Sequence, residues 1–188
     1  MKTYIYLLIT VLSINTALAQ GTIKPISQLG TFNEEPNTSY YYKDINNDFD
    51  KFLGTWVYTN GTVNFTINFS FLPQYESGTG NFYDKIYAKI KFVDNGEIVY
   101  NSIEESSYNH KDISGANLHS NDSNKISLTY TESSVNAYKV YAHLILEYVP
   151  CLLNNGCEQL IWNNTYLKET AEEPWPFVIP TNMTLTRQ

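Results

Sequence analysis

Residues 49–72 read Phe-Asp-Lys-Phe-Leu-Gly-Thr-Trp-Val-Tyr-Thr-Asn-Gly-Thr-Val-Asn-Phe-Thr-Ile-Asn-Phe-Ser-Phe-Leu. Asn60-Gly61, set between alternating segments, predicts a tight β-hairpin with a type I′ turn, which needs positive φ at both central residues. After the turn, Val63, Phe65, Ile67, Phe69 and Phe71 alternate with Thr62, Asn64, Thr66, Asn68 and Ser70. A period of two over that length describes a strand with one buried and one wet face. Before the hairpin, Ile45, Phe49, Phe52 and Leu53 stand at i, i+4, i+7 and i+8. That spacing predicts a short helix capped by Asp44 and ended by Gly54.

Further strand patterns follow along the chain. Ile86, Ala88, Ile90 and Phe92 share one face of Phe82–Val93, and Asp94-Asn95-Gly96 turns the chain into Glu97–Ile103. Glu104–Asn124 is polar and poorly patterned, with a weak strand signal over Ile113–Leu118. Lys125–Thr131, Val135–Val149, Glu158–Lys168 and Thr181–Arg187 complete the set, and Pro174-Trp175-Pro176 is barred from a sheet interior. About eight strands without intervening helices disfavour a parallel sheet. The expected fold is all-β and antiparallel, closed into a barrel to remove its edges, with a two-sheet sandwich as the alternative.

Lys2, an apolar run from Tyr4 to Leu12 and Ala17-Leu18-Ala19 form the pattern of a secretory signal peptide, too short to span a bilayer. The expected organisation is a leader over 1–19, an extended N-terminal arm over 20–43 that packs only in part, and a barrel domain over 44–188. Secretion or a periplasmic location follows from the leader. No later window resembles a membrane helix, so no membrane insertion is expected. The net charge of −7 falls to −8 when Lys2 leaves with the leader, which argues against nucleic acid and anionic lipid as partners. Cys151 and Cys157 enclose a five-residue loop. In an exported protein this favours a disulfide; two free thiols or half of a zinc site are the other readings.

Phe52-Leu53-Gly54-Thr55-Trp56 resembles the Gly-x-Trp opening of the first strand in lipocalins and related barrels. The resemblance implies an eight-stranded lipocalin-like barrel closed near Gly54 and Trp56, with Arg187 of the last strand lying across the tryptophan. The whole mature chain is also similar to uncharacterised secreted lipocalin-like proteins known mainly from flavobacteria. The shared features are the leader end near Ala19-Gln20, Tyr42–Asn46, Gly54-Thr55-Trp56 and the terminal Leu185–Gln188. That family carries no assigned activity, so the resemblance implies a fold and not a chemistry. A hairpin only four residues after Trp56 and closely spaced cysteines depart from true lipocalins.

No catalytic residue is nominated. Asp44–Asp50 alternates oxygen ligands as a calcium loop does, but Phe49 and Thr55 stand where that loop needs Gly and Glu. His110, His119 and His143 lack any metal or triad pattern, and no metal or cofactor is expected. The pairs Glu34-Glu35, Glu104-Glu105 and Glu172-Glu173 point to opposite faces of an extended chain. Asn37, Asn60, Asn64, Asn68, Asn121, Asn163 and Asn182 open N-x-S/T triplets, which a chain rich in Asn, Ser and Thr produces by chance. The leading expectation is a non-enzymatic barrel holding a small apolar ligand against Phe65, Phe69, Phe92, Tyr130 and Tyr138. The alternative is a filled barrel acting as a structural or protein-interaction module of the envelope or secreted fraction, through a Tyr/Lys outer face or Tyr40–Tyr42.

Overall fold

A computed structural model describes residues 21–31, 34–35, 38–104, 112–131, 141–151, 158–165 and 177–188. Among these residues, eleven strands form one sheet: β1 (Thr22–Pro25), β2 (Tyr40–Lys43), β3 (Gly54–Asn60), β4 (Val63–Glu76), β5 (Phe82–Asp94), β6 (Glu97–Asn101), β7 (Ile113–His119), β8 (Asp122–Tyr130), β9 (Ala142–Val149), β10 (Gln159–Thr165) and β11 (Asn182–Arg187). Eight of them close a ring in the order β3-β4-β5-β7-β8-β9-β10-β11, every pairing antiparallel. The seam is β11 against β3, where Thr186 faces Val57 and Arg187 faces Trp56. Closure leaves these strands no open edges, which is the physical reason for a barrel.

The long β5 makes the fold possible. One edge pairs with β4 along nearly its whole length. Its other edge takes β2 at Phe82–Tyr83, β7 at Ile86–Ala88 and β6 at Lys91–Asp94. At the handover from β7 to β6, Ser102 bonds both backbone groups of Ile90: its N–H donates to Ile90 O (2.8 Å) and its hydroxyl accepts the Ile90 N–H (2.9 Å). Buried Asp112 accepts the hydroxyls of Tyr100 and Ser102 and so staples the gap.

The interior follows the alternation. Phe65, Ile67 and Phe69, then Ile86, Ala88, Ile90 and Phe92, point inward and are buried. So are Ile126, Leu128 and Tyr130, Ala142, Leu144 and Leu146, Leu160 and Trp162, and Met183 and Leu185. Phe71 keeps the inward parity, opposite Ile86, but is 40% exposed at the rim beside Phe49.

Three features differ from the sequence reading. The Asn60-Gly61 hairpin forms, but Asn60 pairs with Val63, so Gly61-Thr62 is the two-residue loop. Of these two only Gly61 has positive φ (58°), so this is not the I′ turn. Positive φ at both central residues occurs instead at Asn95 (51°) and Gly96 (80°). The short helix over 45–53 is replaced by consecutive turns, and no α-helix occurs among the described residues. Asn47 sits at φ 57°, and the Asp44 carboxylate accepts the N–H groups of Asp48 (2.8 Å) and Phe49 (3.0 Å). That breaks the helical ladder while still burying Phe49 and Phe52 in the barrel's end.

The arm is more engaged than its lack of periodicity suggested. β1 and β2 add parallel strands beside the start of β5, and Tyr40 and Tyr42 are buried rather than displayed. Of the strand expected over Val135–Val149, Ala142–Val149 forms, and 132–140 lie outside the described residues.

Candidate functional site

At one end of the barrel, Arg187 is the keystone of a closed network. Its guanidinium carbon stands 4.3 Å from the centroid of the Trp56 ring. Nη1 donates to Leu53 O (2.6 Å), Nη2 to Lys51 O (2.7 Å), and Nε pairs with Glu158. The Tyr148 hydroxyl donates to Glu158 Oε1 (2.6 Å), and its ring meets Phe52 and Trp56 edge-on. The Trp56 indole N–H donates to Phe52 O (2.9 Å). Gly54 lies at φ 95°, and a Cβ there would stand 3.4 Å from Arg187 Nη1. The hydrogen bond to Glu158, with burial, pushes the Tyr148 hydroxyl up to about 12. In return, Tyr148 and then Arg187 hold the Glu158 carboxyl below its usual range. Each polar side chain named here is engaged with another part of the fold.

Of the sequence-nominated lining, Phe65, Phe69, Phe92 and Tyr130 all point into the barrel and are 0–7% exposed, whereas Tyr138 lies outside the described residues. Phe65 and Tyr130 pack edge-on against Trp162 at 5.5 and 5.8 Å, and Tyr130 packs against Phe177 at 5.1 Å. The Trp162 indole donates to Pro180 O (3.2 Å). One inner polar group was missed. Asn164 has the same parity as Leu160 and Trp162, is 2% exposed, and neither Nδ2 nor Oδ1 has a hydrogen-bond partner.

Two concavities lined by described residues lie along the N-terminal arm. One of about 530 Å³ is bordered by Glu34, Glu35, Ser39 and Asn81. A second, of about 430 Å³, lies between the arm and the barrel, against Ile23, Tyr41, Lys43, Gln74 and Phe82. Its back wall is organised by Asp84, 2% exposed. Asp84 accepts the Tyr41 hydroxyl (2.6 Å), the Gln74 N–H (3.0 Å) and the Asp44 N–H (2.9 Å). Burial and the Asp84 bond raise the Tyr41 hydroxyl well above its ordinary value. Gln74 sits at φ 51° in a bulge where the β4–β5 register shifts between Leu72 and Tyr75. Asp84 shares the inward parity of Ile86, which was the available signal for a buried carboxylate.

No group of three or more metal-ligating side chains occurs among the described residues. Asp44, first ligand of the weighed calcium loop, is occupied with backbone N–H groups, and burial raises its carboxyl above the ordinary range. His119 pairs with the Ser127 hydroxyl (2.9 Å), His143 is exposed, and His110 lies outside the described residues. Cys151 is exposed at the end of β9, while Cys157 lies outside the described residues, and with it the disulfide.

The barrel geometry is consistent with a lipocalin-like fold. No curated protein and no solved structure matches the chain. The family comparison spans all of it: residues 1–188 match DUF6705, and the chain therefore belongs to this family of unknown function.

Proposed function

We propose that this protein is an exported, non-enzymatic β-barrel with a packed core, serving as a structural or protein-interaction module of the envelope or secreted fraction. The observation that carries this reading is the filled interior. Phe65, Phe69, Phe92 and Tyr130 are buried among one another's neighbours, and a lipocalin-type ligand would have to displace packed rings of roughly 150–250 Å² each. Export rests on the leader pattern over residues 1–19. The non-enzymatic reading draws on how the buried carboxylates are used, since Asp84 and Asp112 both hold backbone or hydroxyl donors of the fold.

The test is titration of the exported protein with benzene, a probe that enters dry apolar cavities, followed by the methyl resonances of Leu128, Leu144 and Leu146. No saturable shift is expected. Saturable one-to-one shifts would overturn the packed-core reading in favour of a second one, a small and largely apolar ligand inside the barrel. That second reading is favoured by Asn164, because a buried amide without partners costs about 1–3 kcal/mol unless something meets it.

A further inference from the structure

We propose that the concavity between the N-terminal arm and the β4 bulge binds a small amphipathic anion, an aryl or short alkyl carboxylate. The inference stands apart from the packed-core reading, since the site lies between the arm and the barrel. Its volume, about 430 Å³, falls within the roughly 300–1,000 Å³ typical of small-molecule sites. Its walls come from four separate stretches: Ile23 on β1, Tyr41 and Lys43 on β2, Gln74 on the bulge and Phe82 on β5. One buried carboxylate, Asp84, ties two of those walls together by bonding both the Tyr41 hydroxyl and the Gln74 N–H. Gln74 is thereby held in a left-handed conformation that disfavours a side chain by about 1–2 kcal/mol. The site is built in advance rather than left as slack between arm and barrel.

The lining chemistry selects the ligand. Ile23, half exposed, joins the Tyr41 and Phe82 rings in offering carbon surface. Lys43 is the one ionic side chain among the lining residues, and it has no ion-pair partner among the described residues. No carboxylate lines the site in a chain of net charge −7, whereas the neighbouring concavity is bordered by Glu34 and Glu35. The Asp84 charge lies behind the wall with both oxygens accepting hydrogen bonds. An apolar body on Ile23 and the rings, with its carboxylate at Lys43, satisfies these groups together.

The probes are 3-phenylpropionate and its uncharged analogue 3-phenylpropan-1-ol, titrated into the exported full-length protein and followed by backbone amide resonances. The carboxylate should bind saturably, shifting the amides of Ile23, Tyr41, Lys43, Gln74 and Phe82, and about fivefold more tightly than the alcohol. Lys43→Gln should bring the carboxylate down to the alcohol's affinity, and Ile23→Asp should abolish both, with the remaining spectrum unchanged in each variant. Absence of saturable shifts at these amides overturns the site. Equal affinities that Lys43→Gln leaves unaltered overturn the anion. Shifts at Trp162 and Leu144 instead would overturn this site and support an interior ligand.

Discussion

Replacing Arg187 tests the closed end of the barrel most directly. Arg187→Ala removes a cation–π contact with Trp56, worth up to about 2 kcal/mol where water is partly excluded. It also removes two charged hydrogen bonds to Leu53 O and Lys51 O, each worth about 1.5–3 kcal/mol. The Glu158 pair adds at most about 1 kcal/mol, because its two side chains are 30% and 33% exposed. Water can reach the released carbonyls through that same exposure, so the net loss is expected near 3 kcal/mol. Arg187→Lys keeps the charge but not the planar fork that serves two carbonyls at once, and should lose about 2 kcal/mol. Urea denaturation followed by tryptophan fluorescence measures both. With a slope near 2–3 kcal/mol/M, Arg187→Ala should lower the midpoint by about 1–1.5 M at constant slope. A loss under about 1 kcal/mol, or a lysine variant as stable as wild type, would refute the keystone argument.

Four other outcomes are expected. Trp56→Ala should destabilise by about 3–5 kcal/mol in the same denaturation, as large aromatic truncations in packed cores do. Glu158 has its pKa lowered in the folded state, so its contribution is present above the unfolded value and lost as pH falls through the folded one. Glu158→Gln should therefore flatten the acid limb of a stability-versus-pH curve. Tyr148 is the reverse case: its contribution holds below about 10 and is lost as pH rises through about 12, which ultraviolet titration of tyrosinate can follow. Asn164→Leu should raise stability by about 1 kcal/mol in thermal melts, because an apolar isostere relieves an unpartnered amide. A loss of similar size would show that the amide has a partner in solution.

Much of the barrel was legible in residue order. Alternation placed Phe65, Ile67 and Phe69 and Ile86 through Phe92 on the inner face, because side-chain direction in a strand repeats every two residues. The weak pattern at Ile113–Leu118 does form a ring strand. Parity also held unused information, since Asp84 and Asn164 both fall on inward positions. What the sequence did not disclose is how such polar groups are satisfied. Asp84 meets Tyr41 forty-three positions away in the chain, whereas the Asn164 side-chain amide has no hydrogen-bond partner.

By itself, then, the order of residues determined the elements, period-two strands and a hairpin near Gly61, whereas the meeting of Trp56 with Arg187 was what the lipocalin resemblance implied. Only the tertiary structure decided that Asn47 and the Asp44 carboxylate replace a helix with turns, that the arm joins the sheet, and that the hairpin loop falls on Gly61-Thr62. It also decided that Phe65 and Tyr130 pack against Trp162, while a formed concavity lies between the arm and the barrel. The physical reason is range. Alternation is local, but hydrogen-bond partners and the space between walls depend on which distant strands β5 brings together.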